Sequence, residues 1–259
     1  MRVTRIGGPT ALIEWEGWRI LTDPTFDPPG RRYSFAPGAS STKTTGPAIA
    51  LDDIGPIDAV LLSHHQHADN LDDAGRRALE QVPTVITTVP GAKALAHHDV
   101  RGLTADARTV LTAQDKRPIT VVATAGRHGA PLTRPLVGHV IGFALTIGEA
   151  ARPGVWVSGD TVLYGGLRRA VTGLAPEVAI VHIGAVKFPV TGPLAYTMNA
   201  SQAVELIDLV DPGVVVPVHV EGWSHFSEQE DAATAVFEAA PASVADRVRW
   251  APLGVPVEL

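Results

Sequence analysis

A chain of 259 residues, 45% hydrophobic and 19% charged, has enough apolar material for a sizeable core and is not a disordered polymer. Its formal net charge of -6, from 21 basic and 27 acidic residues, provides no broad cationic face for nucleic-acid phosphates or anionic lipid, so nucleic acid is not an expected partner. The absence of cysteine excludes disulfides, thiolate ligands and a cysteine nucleophile, leaving histidine and carboxylates to hold any metal.

Residues 1–9 lack the apolar run of about 7 to 15 residues that a secretory signal needs. Apolar runs at 11–15 and 18–21 flank Glu16-Gly17 and predict an antiparallel hairpin. From Asp23 to Gly55 the chain is rich in Pro, Gly, Ser and Thr, with aromatics interleaved. A connection this long suggests a lid or binding loop, or equally a surface excursion held down by its aromatics. Runs of strand length follow at 59–62, 84–87, 109–111, 119–123, 155–157, 178–181 and 214–218. The stretch 135–148 is apolar but shorter than the roughly 18 residues of a membrane helix. A cytoplasmic protein is therefore expected, folded as one domain over 1–259.

Helices alternate with the later strands. Over 199–210, Ala203, Leu206, Ile207 and Val210 form one apolar face that Asn199 or Ser201 can cap. Ser227 and Glu230 have capping-box spacing and predict the opening of a second helix. A further helix is expected from about Asp72. Early strands followed by alternating strands and helices imply sheets covered by outer helices.

The chemistry gathers where strands end. After the run 59–62 come Ser63, His64, His65, Gln66, His67, Ala68, Asp69 and Asn70. His65, His67 and Asp69 lie two apart, so an extended or turning backbone could aim them at one divalent cation. Three later runs end near His128, Asp160 and His219. Four strands each delivering His or Asp at the carboxyl end are expected where a sheet edge carries a polar site.

This ordered set resembles the metallo-β-lactamase-fold hydrolases, whose pattern is His-x-His-x-Asp-His followed by a His, an Asp and a last His. The phrases Leu21-Thr22-Asp23-Pro24, Ser158-Gly159-Asp160-Thr161 and Val216-Pro217-Val218-His219 look most like the branch containing ascorbate-6-phosphate lactonase and N-acylphosphatidylethanolamine phospholipase D. The resemblance spans about residues 3 to 226 and implies a mixed α/β, four-layer αββα sandwich with its site at one edge between the sheets. It also implies one metal on His65, His67 and His128, and Asp160 bridging to a second on Asp69 and His219. Asn70 stands where the family has a histidine ligand, and an amide oxygen replaces imidazole poorly. His64 is an alternative ligand or a support for one. Zinc, manganese and iron all suit such ligands.

A metal-activated water would attack a small-molecule lactone, ester or phosphodiester, with Asp69 binding metal and orienting or deprotonating the water. His182 and His225, near the ends of late strands, are candidate proton donors to the leaving group. Lys187 and Arg31 are candidate holders of an anionic substrate group. His139, in an apolar run, reads as a hydrogen-bonded core histidine, and His97-His98 as a solvated helix end. The other readings are a metal-binding sensor without turnover and, with no basic elements in its favour, a nuclease. A homo-oligomer is compatible with the sequence.

Overall fold

The structure is a computed structural model that covers residues 1–259 and describes all of them except the side chains at 134 and 136. In chain order its strands are β1 (Arg2–Gly7), β2 (Thr10–Trp15), β3 (Trp18–Thr22), β4 (Arg32–Ala36), β5 (Ala39–Thr42), β6 (Ala59–Leu61), β7 (Thr84–Thr88), β8 (Val100–Leu103), β9 (Arg108–Leu111), β10 (Ile119–Ala125), β11 (Ile141–Ile147), β12 (Val155–Val157), β13 (Val178–His182), β14 (Val214–Val218) and β15 (Val257–Glu258). The helices are α1 (Asp73–Leu79), α2 (Val89–Ala94), α3 (Arg134–Val137), α4 (Gly165–Val171), α5 (Ala200–Val210), α6 (Glu230–Glu238) and α7 (Ala242–Ala245). Among the described residues, no helix is long and apolar enough to cross a membrane.

The predicted hairpin forms because Glu16 and Gly17 both take positive φ, 49° and 79°, as a two-residue turn between right-twisted strands requires. Trp15 then pairs with Trp18 and Leu12 with Leu21. The hairpin belongs to a sheet of order β15-β1-β2-β3-β6-β7-β8, antiparallel at its start and parallel from β3 onward. The second sheet runs β14-β13-β12-β11-β10-β9, with its parallel pairs at the β14 end.

Period-two alternation divides each strand between two cores. Ile13, Ile20 and Leu61 of the first sheet meet Phe143, Val155, Ile180 and Val216 of the second in the space between them. The opposite faces are covered from outside. Leu12, Leu21, Val60 and Leu62 pack with Ala74 and Leu79 of α1, and Trp156, Ala179 and Val215 pack with Leu167, Leu206, Ile207 and Phe237 of α4, α5 and α6. These are the four αββα layers expected from the resemblance.

Asn199 caps α5 through a complete capping box with Gln202. The second predicted box does not form: Gln229 is the N-cap of α6, without a side-chain cap bond, and the Ser227 hydroxyl donates to the Ala185 carbonyl. The loop carrying Ser227 is pinned to the neighbouring connection, and this tertiary bond prevails over the local one.

The segment 23–55 is not structureless. Its β4–β5 hairpin is anchored through Asp72, the N-cap of α1, which accepts from Gly75 N, Phe26 N, Asp27 N and the buried Lys43 ammonium. Asp27 in turn accepts from Ala74 N and the Tyr33 hydroxyl. Buried carboxylates with this many donors fix a long connection rigidly. The hairpin is thereby held over the edge where the ligand-type residues gather.

Candidate metal centre and active site

β6 delivers the chain to Ser63, whose N–H donates to Asp23 Oδ1 and whose carbonyl accepts from Ile141 N. The backbone then turns: Asn70 N and Leu71 N both donate to the His67 carbonyl. Within a turn, neighbours on one side stand three residues apart. His64 and His67 therefore meet, with His64 Nε2 at 3.0 Å from His67 Nδ1, and His128 Nε2 approaches the same atom at 3.1 Å.

This corrects the expected first ligand. His65 is half-buried on the outside of the turn, where its N–H donates to the Gln66 side chain and its carbonyl accepts from Arg76, and it belongs to neither donor group. Spacing by two presupposed an extended strand, and the turn replaced it with spacing by three. His64, fully buried, occupies the position instead.

The second group is Asp69, Asp160 and His219, again with donor atoms all within 4.8 Å of one another. Asp160 follows β12 through Gly159 at φ 62°. A Cβ there would lie 2.6 Å from the Ile141 carbonyl oxygen and 2.9 Å from Ser63 Cβ, so only glycine allows this approach between the two strand ends. His219 follows β14 and holds a positive φ of 67°, unusual for a histidine, with its N–H donating to the Gly8 carbonyl. Its Nε2 stands 3.4 Å from Asp160 Oδ2 and 3.6 Å from Asp69 Oδ2.

The first group fits a divalent cation on its three converging imidazole nitrogens, and the second on the state of its buried atoms. Asp69 Oδ1, both carboxylate oxygens of Asp160 and His219 Nε2 are buried with no hydrogen-bond partner. Such atoms are costly without a cation. The outer ring nitrogens are meanwhile tied down: His128 Nδ1 donates to the Tyr196 carbonyl at 2.8 Å, His219 Nδ1 to the Ile183 carbonyl at 3.0 Å, and His64 Nδ1 lies 2.9 Å from Ser63 Oγ. A bond at one ring nitrogen orients the imidazole and turns the other toward its donor group, as metal ligation requires. Asn70 is buried with its amide nitrogen 3.5 Å from Ser63 Oγ and its oxygen unpaired.

The electrostatics distinguish the two groups. Burial pulls the His67 imidazole down to about 3, with His128 adding repulsion, so both present neutral nitrogen. Burial alone would also lower His219, but Asp160 and Asp69 outweigh it and push it up to about 9. Burial alone would raise Asp69, but the nearby His219 ring and the hydrogen bond from His225 hold it well below the ordinary carboxylate range.

A cavity of about 380 Å³ opens onto both groups, reached by His67, Asp69 and His128 and also lined by His225. His225 Nε2 donates to Asp69 Oδ2 at 2.9 Å, and its Nδ1 accepts from the Ser41 hydroxyl at 2.5 Å. His182 does not reach this space. It is wholly buried, with Nε2 3.3 Å from Asp23 Oδ2, and burial pulls it down to about 4 while pushing Asp23 up to about 7. Between those values the pair is a neutral acid facing a neutral imidazole. Buried behind the cavity and absent from its lining, His182 is placed to support the site, not to meet a leaving group.

Neither predicted anion holder lines the cavity. Arg31 is half-exposed, paired with Asp73 and Asp27, and Lys187 is exposed. His139 is exposed, not part of the core, because the chain leaves the apolar layer before β11 begins. His97 Nε2 bonds to the Val82 carbonyl at 2.8 Å, tying the segment after α2 to the end of the α1 connection. Sequence reasoning missed Ser41 and Phe35, which the β4–β5 hairpin brings to the site; among the sequence signals, only the aromatics in an overlong loop pointed there.

Two facing sheets with His and Asp donors at one edge define the class: a metallo-β-lactamase-fold, metal-dependent hydrolase. The family model described as "Beta-lactamase superfamily domain" matches residues 18–220, and the chain belongs to that family. A relative from Aeropyrum pernix named "UPF0173 metal-dependent hydrolase" is 26% identical, over 84% of this chain and 81% of the relative. Two solved structures share the fold. One, "a possible metal-dependent hydrolase" from Veillonella parvula, has 19% identity, coverage of 100% and 99%, and a TM-score of 0.82. The other, the isothiocyanate hydrolase from Delia radicum gut bacteria, has 20% identity, the same coverage and a TM-score of 0.80.

Proposed function

We propose that the protein hydrolyses a small-molecule lactone, ester or phosphodiester at two adjacent divalent-metal positions, the first formed by His64, His67 and His128 and the second by Asp69, Asp160 and His219. The observation that carries this reading is the convergence of two buried three-residue donor groups from four strand ends beside an open cavity, the second of them with its carboxylate oxygens and imidazole nitrogen unpaired. Zinc, manganese or iron suits the donors. Bound there, the ions supply an acidified water and polarise the reacting oxygen of the substrate.

The chain's own residues do the rest. Asp69 places one oxygen on the His225 ring and leaves the other unpaired, so it both holds a cation and orients a water toward the cavity. His225, set between Asp69 and the Ser41 hydroxyl, is the group placed to deliver a proton to the leaving group. Phe35 lies over His67 and His225, with ring centroids 5.6 and 5.1 Å away, and keeps water from the reacting end. The branch of lactonases and phospholipases that the sequence resembles is consistent with this chemistry, and the isothiocyanate hydrolase adds an electrophile to test.

Metal content of protein purified without chelator, followed by a screen of lactones, aryl esters, phosphodiesters and allyl isothiocyanate, tests the reading. Two ions per chain with turnover of at least one class is the expected result. Bound metal with no turnover across the screen would instead favour the sensor reading.

A further inference from the structure

The walls of the cavity differ in kind from its floor. The ionisable groups His67, Asp69, His128 and His225 gather at one end, whereas Phe35, Pro37, Val137, Val186, Phe188 and Val190 supply most of the remainder, with the hydroxyls of Thr133, Thr191 and Tyr196 between them. Phe188 stacks flat on His225, 5.1 Å between centroids at 9°, so apolar surface begins directly beside the reacting groups. Among the described residues no Lys or Arg lines the space. The rim is closed by the hairpin meeting the connection after β13: Val190 Cγ2 lies 3.2 Å from the point where a Cβ on Gly38 would sit.

We infer that this cavity selects an uncharged, hydrophobic carboxylic ester or lactone over a substrate carrying a carboxylate or phosphate handle; the assignment rests on the hydrolase reading above. An alkyl or aryl group leaving water for these walls gains transfer free energy in proportion to its area, about threefold to fourfold in affinity per methylene. An anionic group placed there loses its hydration and, among the described residues, finds no cationic side chain to replace it, the Thr133 and Thr191 hydroxyls already donating to the Ala130 and Phe188 carbonyls. Arg31 is already engaged by Asp73 and Asp27, and Lys187 is exposed and does not line the cavity. A volume of about 380 Å³ suits a small molecule rather than a polymer.

The test uses the metal-loaded protein and pairs of probes differing only at the far end. Hydrolysis of 4-nitrophenyl pentanoate is compared with that of mono-4-nitrophenyl glutarate, whose acyl chain ends in a carboxylate in place of the methyl, each after subtraction of its uncatalysed rate. Binding of the ketone valerophenone is compared with that of 5-oxo-5-phenylpentanoate by saturation-transfer NMR. The neutral member of each pair is expected to win, by about a hundredfold in kcat/KM for the esters. Val190→Lys, at a position 57% exposed and so tolerant of substitution, is expected to shrink that preference at least about tenfold by pairing the carboxylate. Equal kcat/KM for the two esters, or equal binding of the two ketones, overturns the inference and leaves the hydrolase reading standing. Selective binding of valerophenone with no turnover of either ester supports the pocket assignment and counts against the hydrolase reading.

Discussion

His64→Ala and His65→Ala, two adjacent substitutions, are expected to behave oppositely. Structural zinc sites return about 10–16 kcal/mol over their ligand set, or about 3–4 kcal/mol per ligand when shared among four. Removing His64, whose Nε2 reaches the His67 and His128 group, should therefore weaken the first ion about 10²–10³-fold. The same loss lowers the metal-linked stabilisation of the fold by about 3–4 kcal/mol under saturating metal, a fall in Tm of about 6–16 °C for a chain of this size. His65→Ala removes a half-buried ring with no role in either donor group and should stay within about 0.5 kcal/mol of the parent with its metal complement intact. Elemental analysis after dialysis against a competing chelator, beside thermal unfolding with and without added metal, reads both quantities. Loss of metal from the His65 variant with retention in the His64 variant would falsify the turn geometry and restore the extended arrangement.

Three further outcomes follow from the site. Asp160→Asn should keep the fold, because Gly159 and not the carboxylate sets the backbone, yet lose the second ion and about 10³-fold or more of kcat, read by metal content and steady-state rates. His225→Gln should lower kcat about 10²–10⁴-fold without changing metal content, read by steady-state rates and elemental analysis; unchanged kcat would remove His225 as proton donor. Asp23 is raised by burial from 3.8 to about 7, so between these values the folded state binds a proton that the unfolded chain lacks, and stability falls as pH rises through that window. In metal-free protein, urea unfolding should show a loss of about 3 kcal/mol between pH 5 and pH 8 from this group, and Asp23→Asn, an isostere of the protonated acid facing His182, should abolish that slope.

The sequence by itself determined the donor inventory and the elements that carry it. With no cysteine, the metal chemistry had to come from His and Asp, and the strand-length apolar runs placed Asp69, His128, Asp160 and His219 where strands end. The α5 cap and the early hairpin were equally legible, since each rests on interactions within a few residues. Only the tertiary structure decided between His64 and His65, because that choice depends on the turn the chain takes once Ser63 is held by Asp23 and Ile141. It also took His182 out of the reaction, since the β13 end lies behind the cavity against Asp23. Arg31 and Lys187 were drawn away from the substrate by their neighbours and by exposure. Ser41 and Phe35 entered the site from a hairpin whose position depends on a buried Lys43–Asp72 pair across the fold. Spacing within one segment can bring residue types together, but the direction in which each side chain points at a strand end is set by contacts from segments distant in sequence.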